Sequence, residues 1–330
     1  MKMRVGLIMP PNESGSRWKS YEVRGGIPYH YGTDKPYIGG PQDSVDGHIF
    51  RNVWNRPFIG DGCFINPSEG LPEEKFDAIF LVNDSQCIDS REFVNLIRKR
   101  YKNSIIIGTT KEVIPRLKKT SCQGENVGLG YLGDFYKMCD ITILHYADQK
   151  VCDELSEEID EKVYSLPMNY KIEEIRNKYK KSDSRSRKIL AGTTDWGNRG
   201  YEECLKFCKY LAEKYNYEVV ENTGNKSWDE WLRIVDEVDF MVNTDTQHRL
   251  GQPTIECITL GTPHIGGVSD AVLSIIPEWA TNDTERLEEI FIHVEKNGYE
   301  KSEEHYDKLM SKYSLESVEK KLVEILENVS

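Results

Sequence analysis

Two turns carry the residues best suited to holding an anionic ligand. The first reads Gly192-Thr193-Thr194-Asp195-Trp196-Gly197-Asn198-Arg199-Gly200 and follows an apolar run over 187–192. Small residues there let the backbone approach a ligand, threonine hydroxyls donate hydrogen bonds, and Arg199 offers a charge-assisted pair to a phosphate. A helix starting at 201 adds the N–H groups of its first turn, which favour negative charge. The second turn follows the apolar run over 238–243 and reads TDTQHRLGQPTIECITLGTPHIGG. Its loop holds Asp245, His248, Arg249, Leu250 and Gly251. Pro253 then marks the start of a short helix that carries Thr254 and Glu256, because a proline is harmless at a first helical position. Ile255, Cys257, Ile258 and Leu260 make that helix apolar nearly all round, and Gly261 with Pro263 ends it. A carboxylate in such a helix needs hydrogen-bond donors, from ligand hydroxyls or from the protein's own backbone. Taken singly, the first turn reads as a plain strand–helix connection with a solvated arginine, Glu256 as a structural carboxylate accepting backbone N–H groups, and His248 as a packing or surface residue.

The surrounding pattern places both turns at the carboxyl ends of parallel strands, where open α/β sheets bind ligands. Apolar runs over 3–9, 77–83, 104–108, 140–145 and 162–166 read as strands, with helices over 90–101 and 149–160 between them. Runs that are apolar throughout belong to parallel sheets covered on both faces. A charged, serine-containing stretch, 169–186, reads as a linker that is helical in part. Strands over 187–192, 218–221, 238–243 and 264–267 follow, with helices over 201–215, 227–235, 284–296, 302–312 and 315–328. Residues 10–74 break the alternation with glycine, proline and aromatic residues. That stretch reads as a surface excursion with a few short strands and a helix near 46–54, or as an acceptor-binding insertion using Trp18, Tyr29, His30, Tyr31, Tyr37 and Trp54.

Composition narrows the class. With 38% hydrophobic and 30% charged residues over 330 positions the chain has material for two cored domains. A formal charge of −12 weighs against a general nucleic-acid or anionic-membrane binder. No apolar run reaches membrane-spanning length, and the start lacks a cleavage site. The eight cysteines form neither a CxxC pair nor a disulfide framework. Buried free thiols and a cytoplasmic location are therefore expected.

Considered together and in order, the two turns resemble those of the retaining, nucleotide-sugar-dependent glycosyltransferases of GT-B fold, the glycogen-synthase-like group called family 4. The segment RKILAGTTDWGNRG is similar to that family's strand, loop and Lys-Gly motif, with Arg199-Gly200 in the Lys-Gly place. HRLGQPTIECITLGTPHIGG is similar to its Glu-x7-Glu motif, with Gly251, Pro253, Glu256, Gly261, Pro263 and Ile265 in register. The resemblance spans about residues 187–270. It implies an α/β chain of two Rossmann-like domains with parallel sheets facing a central cleft. The acceptor-side domain would span 1–168, with its insertion over 10–74. The donor domain would span 187–330, its last helix packing back on the first domain.

The resemblance further implies transfer of a sugar, with retention, from a nucleotide-diphosphate sugar to an acceptor hydroxyl. It implies no redox cofactor and no metal. Glu256 would hold the ribose and Arg199 the diphosphate. Gly192, Thr193, Thr194, Asp245, His248, Arg249, Leu250, Gly251 and Thr254 would complete the donor site. His248 takes the catalytic position, and Asp84, His145 and Asp148 lie at strand ends where an acceptor hydroxyl could be oriented. The acceptor class stays open among glycan, lipid, protein and modified nucleic-acid base. The chain departs from the family at four places: His248 replaces the first Glu, Thr193 replaces an Arg, Thr109-Thr110 stand where a His is usual, and one βα unit is missing between Glu218 and Ser227. Two other readings share the architecture, a nucleotide-sugar 2-epimerase and a non-catalytic nucleotide- or sugar-binding protein.

Overall fold

The computed structural model describes residues 5–8, 63–65, 71, 73, 75–83, 90–110, 135–144, 149–167, 170, 172–179, 186–192, 200–222, 228–245 and 251–329. They divide into two compact units, Met1–Tyr170 with Leu315–Ser330, and Lys171–Ser314.

In the first unit β-branched and leucine-rich runs become strands because both of their faces are covered. These are β1 (Val5–Ile8), β2 (Cys63–Ile65), β3 (Ala78–Asn83), β4 (Ile105–Thr110), β5 (Ile141–Leu144) and β6 (Val163–Ser165). They form one parallel sheet in the order β2-β1-β3-β4-β5-β6. Helix α1 (Ser90–Arg100) lies between β3 and β4 and α2 (Gln149–Ile159) between β5 and β6, and Val94, Ile97, Cys152 and Leu155 seal the core over Ile79, Leu81 and Ile106. Asp140 fixes the β4 entry: one carboxylate oxygen takes the Ile106 N–H at 2.7 Å, the other the Arg98 guanidinium at 2.8 Å. Strand β2 lies inside the stretch that breaks the sequence pattern. Three residues on a sheet edge are too few to show a period. The helix expected near 46–54 and the aromatic residues of that stretch fall outside the described residues.

The second unit holds α3 (Ile172–Lys178), β7 (Lys188–Ala191), α4 (Tyr201–Tyr215), β8 (Glu218–Glu221), α5 (Trp228–Glu237), β9 (Phe240–Val242), α6 (Gln252–Leu260) and β10 (His264–Ile265). After them come α7 (Asp270–Ile275), a 3-10 turn (Pro277–Trp279), α8 (Thr284–Asn297) and α9 (Ser302–Tyr313). Its sheet is parallel throughout, in the order β10-β9-β7-β8. The expected linker is in part α3, which packs on α6. The last helix, α10 (Leu315–Glu327), groups with the first unit and buries Val318, Leu322, Ile325 and Leu326 along one stripe. Helix α7 was not anticipated, although Ser269 directly before Asp270 is an N-cap signal. Its hydroxyl accepts the Val272 N–H at 3.3 Å.

Free thiols at Cys139, Cys152, Cys204, Cys208 and Cys257 are buried, as their spacing suggests. Among the described residues no helix is long and apolar enough to cross a membrane. The strand-helix contact of the second unit is dominated by rings: Phe291 of α8 lies 4.6 Å from Phe240, 5.2 Å from Tyr215 and 5.5 Å from Tyr217, centroid to centroid. Phe291→Ala should therefore cost about 3–5 kcal/mol in equilibrium urea unfolding. A loss below about 1 kcal/mol would show that this cluster does not hold α8 to the sheet.

Candidate functional site

The parallel register of β7 and β9 sets Ala191 opposite Val242, so both chains leave the sheet at the same edge. That edge is shaped by close backbone approach. The Gly192 N–H donates to Val242 O at 2.8 Å, and a Cβ on Gly192 would stand 2.9 Å from Met241 Cγ and 3.0 Å from Val242 O. Gly200, with φ of 71°, caps α4, and the Thr244 hydroxyl donates to its carbonyl at 3.5 Å. The far end of the first turn thus returns to the exit of β9. Asn243 closes an Asx turn by accepting the Asp245 N–H at 2.8 Å. Beside it, Gly266 (φ 87°) sits so close that a Cβ would be 2.4 Å from Asn243 O and 2.5 Å from Leu287 Cδ2.

Gly251 begins α6 with φ of 79°, and an added Cβ would stand 2.0 Å from Ser269 Oγ. The starts of α6 and α7 are therefore pressed together. Neither Gly200 nor Gly251 supplies a side-chain cap to its helix. The first N–H groups of each helix therefore take acceptors other than the cap residue's own side chain.

Every residue from Thr254 to Leu260 is buried. Glu256 has no exposed surface, and its partners include neighbouring side chains rather than the backbone alone. The Trp231 indole donates to Oε2 at 2.6 Å, and the Gln252 amide to Oε1 at 3.4 Å. The first contact has the length of a strong charge-assisted bond, which is what a carboxylate removed from water requires. Thr254 is buried too, its hydroxyl 3.3 Å from His264 Nε2. Burial pushes the His264 imidazole down to about 3, so it is neutral at pH 7, and among the described residues its Nδ1 has no hydrogen-bond partner.

Of the residues singled out by sequence, Gly192, Asp245, Gly251, Thr254 and Glu256 thus lie on the turns and the short helix at one sheet edge. Thr193, Thr194, Arg199, His248, Arg249, Leu250, Asp84, His145 and Asp148 lie outside the described residues. Thr109, where a His is usual in the resembling family, is a wholly buried strand residue. Sequence reasoning missed Trp231, Gln252, Asn243, Thr244, His264 and Ser269. The paired Gly266-Gly267 after a strand and the Ser-Asp cap were readable signals. Nothing in the sequence couples Trp231 to a carboxylate 25 positions later. Among the described residues no three His, Cys, Asp or Glu side chains gather in a way that could hold a metal ion. A hollow of about 320 Å³ lined by Glu278, Trp279, Ile290, Val294 and Lys301, among others, contains none of the sequence-predicted residues.

No protein-family model and no curated protein matches the chain. Solved structures do. Sucrose-phosphate synthase from Thermosynechococcus elongatus superposes with a TM-score of 0.55 at 11% identity, covering 99% of both chains. Trehalose 6-phosphate synthase from Burkholderia multivorans gives a TM-score of 0.53 at 9% identity, over 80% of this chain and 73% of the other. A mutant of S. aureus TarM, in complex with fondaparinux, alpha-GlcNAc-glycerol and UDP, gives a TM-score of 0.53 at 11% identity. That match covers 75% of this chain and 55% of TarM, so the chain spans little more than half of TarM's length. The chain has the fold these proteins share, GT-B, an α/β architecture of Rossmann-like parallel sheets.

Two outcomes follow from the geometry. Gly251→Ala forces a side chain into left-handed backbone, costing about 1–2 kcal/mol, and into contact with Ser269. Its melting temperature should fall, and adding Ser269→Gly should recover part of the loss; no recovery would show that the Ser269 contact is not the constraint. The second concerns acid. His264 binds its proton near 6.5 when unfolded and near 3 when folded, so between those values the unfolded chain holds more protons and stability falls as pH falls. His264→Gln should flatten the stability slope between about pH 6.5 and 3. An unchanged slope would assign the acid sensitivity to other groups.

Proposed function

We propose that the chain is a glycosyltransferase that moves a sugar from a nucleotide-diphosphate sugar to an acceptor hydroxyl with retention. The observation that carries the reading is the sheet edge where Gly192 and Gly200 border one turn after β7, the Thr244 hydroxyl ties Gly200 to the exit of β9, and Gly251 opens α6 after that exit. A diphosphate fits that chemistry, since helix N-termini and close backbone N–H groups favour anions. The GT-B fold shared with nucleotide-sugar enzymes supports the same reading. UDP is one of the molecules in the S. aureus TarM complex.

In this reading Arg199 and the starts of α4 and α6 neutralise the diphosphate, with Thr193, Thr194, Asp245, Arg249, Leu250 and Thr254 around it. Glu256 accepts from the ribose, and His248 faces the donor sugar. The bond between the sugar's anomeric carbon and the β-phosphate oxygen breaks, and its electron pair leaves with the diphosphate. The acceptor oxygen forms the new bond on the same sugar face, and its proton passes to the departing phosphate or to solvent. Charge developing on the diphosphate is stabilised by pre-positioned donors, the term that dominates such reactions. No electrons change hands, so no redox cofactor is required, and the cationic side chains take the part a metal plays elsewhere. Asp84 and His145 are the acceptor-side candidates.

A panel of nucleotide sugars, with calorimetric binding and product analysis across hydroxyl acceptors, tests the reading. Binding of one nucleoside diphosphate family with sugar transfer is the expected result; no binding and no transfer across the panel would end the proposal. Arg199→Ala should lower kcat/KM by about 100-fold or more, as loss of one transition-state charge partner does. A second reading, a non-catalytic binding protein, rests on His248 in the place of the family's first Glu. Tight nucleotide binding without transfer would favour it.

A further inference from the structure

We infer that the hollow of about 320 Å³ between the 3-10 turn, α8 and the start of α9 binds a free α-amino acid with an apolar side chain. It stands apart from the donor-site reading, since no residue assigned there lines the hollow. Ile290 and Val294, one turn apart on α8, give it an apolar lining together with Trp279, and the three are 4%, 3% and 7% exposed. Trp279 is held in place by rings, its centroid 5.2 Å from Tyr299 and 5.5 Å from the wholly buried His305. Its indole N–H has no acceptor among the described residues, whereas a buried indole ordinarily has one. At Gly298 the rim is open, for an added Cβ would meet nothing within 4 Å.

Charged groups of both signs complete the lining. Glu278 Oε1 accepts from Lys301 Nζ at 2.8 Å and lies 3.1 Å from His305 Nε2. A carboxylate only accepts, so Nε2 carries the ring hydrogen and Nδ1 accepts from the Tyr299 hydroxyl at 3.0 Å. Burial alone would raise the Glu278 carboxyl, but Lys301, a backbone N–H and His305 outweigh it and hold it down at about 2, so it is charged at pH 7. Both side-chain contacts fall on Oε1, and Oε2 has no side-chain donor among the described residues. Arg286 bonds Glu289 Oε2 through Nη1 at 2.8 Å. The Nε and Nη2 side of its fork, the side that grips a carboxylate through two parallel bonds, has no partner among the described residues. Two cations and three carboxylates, Glu300 being the third, line the hollow, for a net charge of −1 with His293 counted as neutral. A bare anion therefore meets repulsion, and a bare cation leaves the Arg286 fork and the indole N–H unmet. A zwitterion satisfies both: its carboxylate takes the fork and the indole, its ammonium lies at the free carboxylate oxygens, and its side chain covers Ile290 and Val294. The volume is at the small end for ligand sites, suited to one amino acid rather than a nucleotide or an oligosaccharide.

Calorimetry and melting curves of the full chain with L-phenylalanine and L-leucine test this. The controls are 3-phenylpropanoate, which lacks the ammonium, and phenethylamine, which lacks the carboxylate. The wild type should bind an amino acid saturably and melt higher with it, at an affinity about tenfold or more above either control, because each control leaves one set of charges unmet. Arg286→Ala removes a side chain that is 56% exposed, so the protein should fold as before and bind the amino acid about tenfold more weakly. Its affinity for phenethylamine should not change, because that probe has no carboxylate for the fork. Trp279→Phe keeps a ring and loses the N–H, and should weaken the amino acid in the same sense. Should Trp279→Phe fail to fold, Arg286→Ala decides. No saturable binding of either amino acid overturns the proposal, as does phenethylamine or 3-phenylpropanoate binding as tightly as L-phenylalanine. A folded Arg286→Ala protein with wild-type affinity for the amino acid overturns it too.

Discussion

A helix with no solvent-facing side has to be walled in, and the second unit is arranged around that constraint. Helix α6 is buried from Thr254 to Leu260, with α3, α5, α7, α9 and β10 packed against it. Glycines at both ends, Gly251 with φ 79° and Gly261 with φ 73°, let the chain enter and leave within nine residues. The single charged residue of the helix, Glu256, is tolerated there because it is hydrogen-bonded, with Trp231 of α5 and Gln252 among its donors. Replacing Gly251 would force an overlap with Ser269, and removing the donors would strip a buried charge of partners. Stability and ligand chemistry therefore depend on the same few contacts.

The central strands of both units, such as β3, β5 and β9, were legible because parallel strands covered on two faces are apolar throughout, and such runs stand out against charged helices. The expected helix over 201–215 coincides with α4, bounded by Gly200 before it and Asn216, in left-handed conformation, after it. What escaped notice was short or long-range. Strand β2 has three residues, and α7 has six. Neither length supports a period, and only the cap at Ser269 betrays the second.

The candidate site divides along similar lines. Gly192, Gly251 and Glu256 were readable because a glycine at a strand end and a carboxylate in an apolar helix are both unexpected on composition alone. The partners that give them meaning come from other elements. Ser269 meets Gly251 from the cap of α7, His264 meets Thr254 from β10, and Trp231 meets Glu256 from α5. Those pairings are properties of the fold, not of local spacing. The buried His264, neutral because burial disfavours its charged form, is a further case. In the sequence it is one polar residue in a glycine- and proline-rich stretch.

The resemblance to family 4 glycosyltransferases and the likeness to solved GT-B structures rest on different information, one on motif residues and the other on backbone shape. At 9–11% identity the shape speaks for architecture. The chemistry rests on the sheet edge and on the residues that line it. A crystal structure of the protein with a bound nucleoside diphosphate examines that edge most directly. The account predicts the diphosphate at the starts of α4 and α6 and the ribose hydroxyls within hydrogen-bond distance of Glu256. A nucleotide bound away from the carboxyl ends of β7 and β9, with Glu256 still enclosed by protein groups alone, would contradict it.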